Sequence, residues 1–268
     1  MRLKTGRAAL GGVQLDELDP AIVIRSIDPG TPQESVSTVN TAGIAGSRVT
    51  GARRTALDVS VTYAIDIPKT DLKERRRVFD LVQEWAHKKG WLTVSWMTGR
   101  RVWVDRVVYP SSGSLWEWTA EFTLTFRSLN TPFWRDSKAT SVSGKTKASD
   151  TLALAVPGTE RTVIGAEFEN RSGKTINGFT LAVKSGSTVQ SKITLAGMGL
   201  QAGETLVIDH PNSTGVLRIR RKNGSSYTSV YDKYTGSDDT WADPGAVTVE
   251  YTADRAGVLT VTVNGRYV

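Results

Sequence analysis

Trp116-Glu117-Trp118-Thr119-Ala120-Glu121-Phe122-Thr123-Leu124-Thr125-Phe126-Arg127 alternates apolar or small side chains with polar ones at every step. A side-chain period of two belongs to an extended chain, whose successive residues point to opposite faces of a sheet. The stretch predicts a half-buried antiparallel strand over 116–127, with Trp116, Trp118, Ala120, Phe122, Leu124 and Phe126 on its apolar face. Leu57, Val59, Val61, Tyr63 and Ile65 repeat the pattern against Asp58, Ser60, Thr62 and Ala64. Trp91 to Met97 and Arg101 to Tyr109 predict a hairpin around Thr98-Gly99-Arg100. Between these strands the period changes to that of a helix. It starts after Pro68 with Thr70 or Asp71 as N-cap and runs to about Lys89, with Val78, Phe79, Val82, Trp85 and Ala86 as its apolar stripe. Lys88 and Lys89 suit its C-terminal end, and Gly90 stops it.

Working outward, residues 26–55 carry Gly30, Pro32, Gly43, Gly46 and Gly51 in a Ser/Thr-rich stretch with little periodicity. The expectation is a long irregular segment, either a mobile loop or an arm that orders against a neighbouring subunit. Seven of the eight tryptophans precede residue 136, and only Trp241 follows it. Small polar residues fill 137–150, which reads as an exposed linker. The expected organisation is a first domain over 1–136, that linker, and a second domain over 151–268. In the second domain Leu152/Leu154/Val156, Ile164/Ala166/Phe168, Phe179/Leu181/Val183, Leu206/Ile208, Leu217/Ile219, Val247/Val249/Tyr251 and Leu259/Val261/Val263 each alternate. Asn223-Gly224 marks a two-residue hairpin turn. The whole is mainly β (α+β): a sandwich- or barrel-like first domain with one helix, then a β-sandwich.

With 268 residues, 39% hydrophobic and 23% charged, the chain has an ordinary globular balance and enough apolar surface for two modest cores. The net charge of +7 is spread evenly: residues 1–136 hold 19 basic and 15 acidic side chains, and residues 137–268 hold 15 and 12. That distribution argues against a focused nucleic-acid-binding face. With no cysteine there is no disulfide, thiolate zinc site or cysteine nucleophile. Met1 to Ala8 lacks a signal-peptide apolar run, and no stretch has the length of a membrane span, so no membrane partner is expected.

The candidates for chemistry read as structural. His87 sits at the helix end, and His210 in a turn of another domain, so the two cannot form a metal site alone. Gly144-Lys145-Thr146 ends a stretch like a phosphate loop, but Ala139 stands where its leading glycine belongs, with no strand before or helix after. Arg75-Arg76-Arg77 fan out around the helix and read as a solvated face. Asp238, Asp239 and Asp243 around Trp241 lack calcium-loop spacing. Glu167 and Glu169 share one strand face rather than facing across a cleft. The chain is read as not an enzyme and as carrying no cofactor.

In order, Gly46-Ser47-Arg48, then Arg53 to Tyr63, the helix Arg76 to Trp85, Trp91 to Val94, Arg101 to Val107, and Trp118 to Phe126 running into Leu129-Asn130-Thr131-Pro132-Phe133-Trp134 resemble the distal tail protein family of siphophages. Leu200 to Asp209 and Pro244 to Val249 resemble that family's galectin-like half. The resemblance implies a belt domain closing into a hexameric ring, decorated by a galectin-like sandwich. It implies a virion component at the phage tail tip, made in the host cytoplasm. The partners would be other copies of the chain, the tail-tube protein above and a tail-tip or baseplate hub protein below, with DNA passing through the lumen without specific binding. Arg48, Arg53, Arg54, Gly99, Arg100 and Arg101 are the expected assembly contacts, taken from the early segment and the hairpin tip. Two alternatives stay open: a tail-tube subunit with an added sandwich, or a receptor-recognition protein binding a host glycan through Trp241 and Tyr234.

Overall fold

The computed structural model describes residues 6–40, 47–212, 214–237 and 239–268, with backbone alone at 40 and 47–49. The chain is mainly β with a single α-helix among the described residues, and it divides into two compact units, Met1–Trp134 with Val268, and Arg135–Tyr267.

In the first unit β1 (Ala8–Leu10), β2 (Val13–Gln14), β3 (Ile22–Asp28), β4 (Gln33–Asn40) and β5 (Ser47–Ile65) lead to α1 (Leu72–Ala86). Then come β6 (Gly90–Val94), β7 (Arg100–Val104), β8 (Arg106–Val108) and β9 (Ala120–Ser128). One sheet runs β3-β5-β9-β8, and β2, β1, β6 and β7 lie side by side in another. The predicted apolar positions of β5 meet those of β9 directly: Val59 pairs with Phe126, Val61 with Leu124 and Tyr63 with Phe122. The opposite face is polar, with Thr62 bonded to Thr123 (2.8 Å) and Arg127 donating twice to Asp58 (2.8 Å each).

α1 covers the apolar face. Asp71 caps it by accepting from the Glu74 amide (3.1 Å). Phe79 packs on Phe122 (4.8 Å between centroids) and Trp85 edge-on against Phe126 (5.8 Å). Trp85 Nε1 also donates to the Val13 carbonyl of β2 (3.0 Å), tying the helix to the other sheet. Tyr63 is fully buried in this core, and burial pushes its phenol well above the ordinary range.

The predicted hairpin forms over shorter strands. Trp91 pairs with Trp103 and Leu92 with Val102, but Ser95–Met97 is a 3-10 turn rather than strand. At Asp105 the second strand changes partners, so Arg106–Val108 pairs with β9 instead. Trp134, fully buried, donates Nε1 to the Pro29 carbonyl (3.2 Å) and closes the unit.

The second unit contains β10 (Trp134–Asp136, which straddles the division), β11 (Thr140–Ser143), β12 (Lys147–Val156), β13 (Thr162–Asn170), β14 (Ile176–Ser185), β15 (Thr188–Leu200) and β16 (Thr205–Asp209). It continues with β17 (Arg218–Asn223), β18 (Ser226–Ser229), β19 (Tyr234–Gly236), β20 (Trp241–Ala242), β21 (Gly245–Val263) and β22 (Arg266–Tyr267). Every residue of the seven alternating runs is buried in one hydrophobic cluster, centred on Phe168, Phe179 and Tyr251.

Two expectations fail here. The linker 137–150 is no linker: Thr140–Ser143 and the start of β12 pair with β21. Their small polar side chains suit strands whose outer face is solvated, which composition alone does not distinguish from a tether. The runs at 247–251 and 259–263 belong to a single 19-residue strand. Its first half pairs with β12 and β14 and its second with β11 and β13, so one strand serves both regions of the sheet. At the changeover a side chain on Gly257 would overlap the Phe168 ring and the Glu169 carbonyl, so only glycine passes. The hairpin at Asn223-Gly224 is real but shifted by one: Asn223 pairs with Ser226, leaving Gly224 (φ +56°) and Ser225 as the turn.

Candidate assembly surfaces

The described residues of 26–55 are mostly strand rather than irregular. β4 runs antiparallel along the first half of β5, from Gln33 opposite Ala56 to Asn40 opposite Ser47, with bulges after Gln33 and Ser37. Gly43 and Gly46 lie outside the described residues, and of Arg48 only the backbone is described, opposite Val39. Arg53 faces Ser35, and Arg54 Nη1 bonds Glu34 Oε2 (3.0 Å) across the ladder. Most side chains on both faces are exposed, including Val36 and Val39. A sheet with no buried face has no reason to alternate, which is why the sequence shows no period here. A two-stranded ribbon is also marginal without something to pack on.

At the second predicted contact, Gly99 turns the chain at φ +75° and Arg100 opens β7. Arg101 is engaged within the unit: its guanidinium lies over the Trp91 ring (4.1 Å), which meets Trp103 edge-on (5.4 Å). The side chain that projects at this end is Trp96, 63% exposed.

The connection before β9 corrects the opening expectation. Ser112–Trp116 is a 3-10 turn and the strand begins only at Ala120. Leu115 is buried, whereas Trp116 and Trp118 are 72% and 81% exposed. Lys69 sits over the Trp118 ring (3.6 Å).

Arg75 holds this turn in place. It is not on a solvated face: its residue exposure is 2%. Its guanidinium donates to the carbonyls of Ile67 (2.8 Å), Leu115 (2.8 Å), Glu117 (2.7 Å) and Trp118 (3.2 Å). The signal was present in the sequence, because Arg75 is in phase with Val78, Phe79, Val82, Trp85 and Ala86. An arginine on an apolar stripe implies nearby carbonyls to receive its fixed fork of donors. Arg76 and Arg77 do face solvent, pairing with Asp80 (2.9 Å), and with Asp19 (2.5 Å) and Glu74 (2.6 Å).

In the second unit Trp241 and Tyr234 do not build an open platform. Arg161 lies over the Trp241 ring (3.5 Å) and bonds Asp243 (3.0 Å). Tyr234 packs against the hydrophobic cluster and leans on Tyr231 (5.4 Å). The acidic group disperses: Asp238 is outside the described residues, Asp239 faces His210, and Asp243 takes Arg161 and Gln190. His210 is therefore no open turn residue; its side chain is 2% exposed. His87 stays at the helix end, exposed, with Nδ1 3.4 Å from the Tyr109 hydroxyl. Glu169 pairs with Arg171 (2.8 Å), while Glu167 is exposed on the same strand. Among the described residues no three His, Cys, Asp or Glu side chains gather as a metal site, and no helix is long and apolar enough to cross a membrane.

No protein-family model matches the sequence, and no curated protein matches it. Solved structures do. The crystal structure of the SPP1 Dit protein, described as a paradigm of the hub adsorption apparatus in phages infecting Gram-positive bacteria, superposes with a TM-score of 0.67 at 13% identity. The match covers 99% of this chain and 100% of that one. A chain of the phage P2 baseplate, in its activated conformation with calcium, gives 0.52 at 8% identity over 97% of this chain and 98% of its own. Over 99% of its length, both units included, this chain has the fold of the SPP1 Dit protein.

Proposed function

We propose that the chain is a structural component of a phage tail tip, a distal tail protein whose first unit closes into a hexameric ring joining the tail tube to the tail-tip or baseplate hub. The carrying observation is the extent of the likeness. The match covers 99% of this chain and 100% of the SPP1 hub protein, so it takes in both units of this chain and not merely one common β domain.

The exposed features of the first unit fit that reading. A closed ring needs head-to-tail contacts, in which two different surfaces of each copy meet. The ribbon of β4 and β5 offers one such surface, with Arg53 and Arg54 on it; the Gly99–Arg101 tip beside Trp96 offers another. Exposed tryptophans are the side chains most often found at the energetic centre of interfaces. A place in the virion and DNA passage through the ring's lumen are part of the same proposal.

Electron microscopy and light scattering of the purified full chain test the reading. Closed six-fold rings are the expected result. Long stacks of rings would favour a tail-tube subunit, and a monomer at high concentration would overturn the proposal. Replacing residues 35–53 by Asn-Gly cuts the ribbon at the paired positions Glu34 and Arg54. That variant should fold and fail to form rings.

A further inference from the structure

The second unit carries a cavity of about 250 Å³ on the face of β13 turned away from its core. Gly165 is part of its lining and leaves its own position there open. A Cβ there would meet only the carbonyls of Ile208 and Thr262, at 3.6 and 3.7 Å, which is ordinary contact. The space holds roughly eight waters at about 30 Å³ each, comparable to one sugar ring.

The polar lining is built, not incidental. Arg135 is 5% exposed and donates Nη1 to Asn212 Oδ1. The His210 side chain, 2% exposed, turns Nε2 to Asp239, while Nδ1 is buried with no hydrogen-bond partner among the described residues. Asn264 Oδ1 is buried and likewise has no partner among the described residues, although its backbone carbonyl accepts from Thr162 (2.6 Å). Leaving such groups unmet costs about 1–3 kcal/mol each. What completes them must offer both donors and acceptors close together.

Charge narrows the class. Glu167 and Arg135 oppose one another in sign, and Asp209 is already shared by Arg218 (2.8 Å) and Arg220 (2.9 Å). The lining therefore has no excess of either sign to select an ion. Val163 and Val207 supply apolar contact. We propose that this cavity binds one neutral polyhydroxylated ring, a single sugar unit. Sugar hydroxyls donate to the Asn264 oxygen and accept from Arg135 in the same pose. With no Trp, Tyr or Phe in the lining to stack on, the expected binding is weak, with a dissociation constant on the order of 1 mM. The site rests on the second unit alone and does not depend on ring formation.

Saturation-transfer NMR on the full chain, with D-glucose, D-galactose and N-acetyl-D-glucosamine as probes and inorganic phosphate as the charged comparison, tests it. At least one sugar should receive saturation, and Gly165→Val, which puts a branched side chain into the cavity, should weaken binding at least tenfold at an unchanged melting temperature. If that variant melts early, Gly165→Ala serves. Trp241→Ala should leave binding intact. No transfer to any sugar, transfer that survives filling of the cavity, loss of transfer in Trp241→Ala, or phosphate binding in place of sugar would each overturn the proposal.

Discussion

The two units are both built on antiparallel strands, but they bury their strands differently. In the second, the apolar side of β13, β14, β15 and β21 meets a single core. In the first, one helix covers one sheet, and several pieces of backbone project beyond that cover: the β4–β5 ribbon, the Gly99 turn and the loop before β9. The difference shows that alternation records a core rather than a strand. Where one face is buried the sequence alternates; where neither is, a strand forms without a pattern.

The largest effect that would test this contrast is the loss of Phe168. Its ring lies 4.9 Å from Phe179 and 5.6 Å from Tyr251, so Phe168→Ala leaves a cavity costing about 4 kcal/mol. Seven of eight tryptophans lie in the first unit, so tryptophan fluorescence reads that unit almost alone while far-UV dichroism reads both. Denaturation followed by the two probes should separate in the variant, with dichroism moving first. Coincident curves would mean that the two cores unfold as one.

Arg75→Ala comes next, at about 3 kcal/mol, because it strands backbone carbonyls that the guanidinium serves and frees the 112–118 turn. Here the fluorescence transition should move and the second unit's should not. Arg76→Ala, on the exposed side of the same helix, should shift stability by less than about 0.5 kcal/mol. Equal effects would restore the solvated-face reading of all three arginines.

These substitutions also mark what the sequence disclosed. Phe168, Phe179 and Tyr251 were legible as core because each sits in a run facing one interior. Trp116 and Trp118 kept the period of β9 but not its geometry: Ser112-Gly113-Ser114 wind into a 3-10 turn, and the chain becomes extended only at Ala120. Period alone cannot say where a strand starts. The cavity at Gly165 was not legible at all, since Arg135, Gly165, His210 and Asn264 approach one another only after β13, β16 and β21 have assembled. Likewise Arg161 over Trp241 is an 80-residue separation in sequence that no local pattern announces.

A smaller effect is expected from Trp116→Ala with Trp118→Ala. Both rings are largely exposed, so the melting temperature should change by only about 2 °C. If these rings belong to the ring contacts, assembly read by light scattering should fall far more than stability does. A melting temperature that drops steeply would instead place the indoles in the first unit's packing.

The smallest effect concerns acid. Asp19, in the turn after β2, bonds Arg77 on α1 and joins segments far apart in sequence. Burial pushes its carboxyl up, but the Ala21 amide and the Arg77 guanidinium outweigh it and hold it below the ordinary range; Arg77 holds Glu74 below its range too. A carboxylate depressed in the folded state contributes stability above its unfolded pKa, about 3.9 for aspartate, and loses it as pH falls through the folded value. In the second unit the carboxylates held below their range, Asp150 and Asp232, pair with Lys147 and Lys233 close by in sequence, so their protonation releases no long-range tie. Asp19→Asn should therefore lower the fluorescence-detected melting temperature by about 2 °C at pH 6, and that gap should close as the pH drops below about 3. A gap that persists in acid would show that the Asp19–Arg77 contact acts through packing rather than charge.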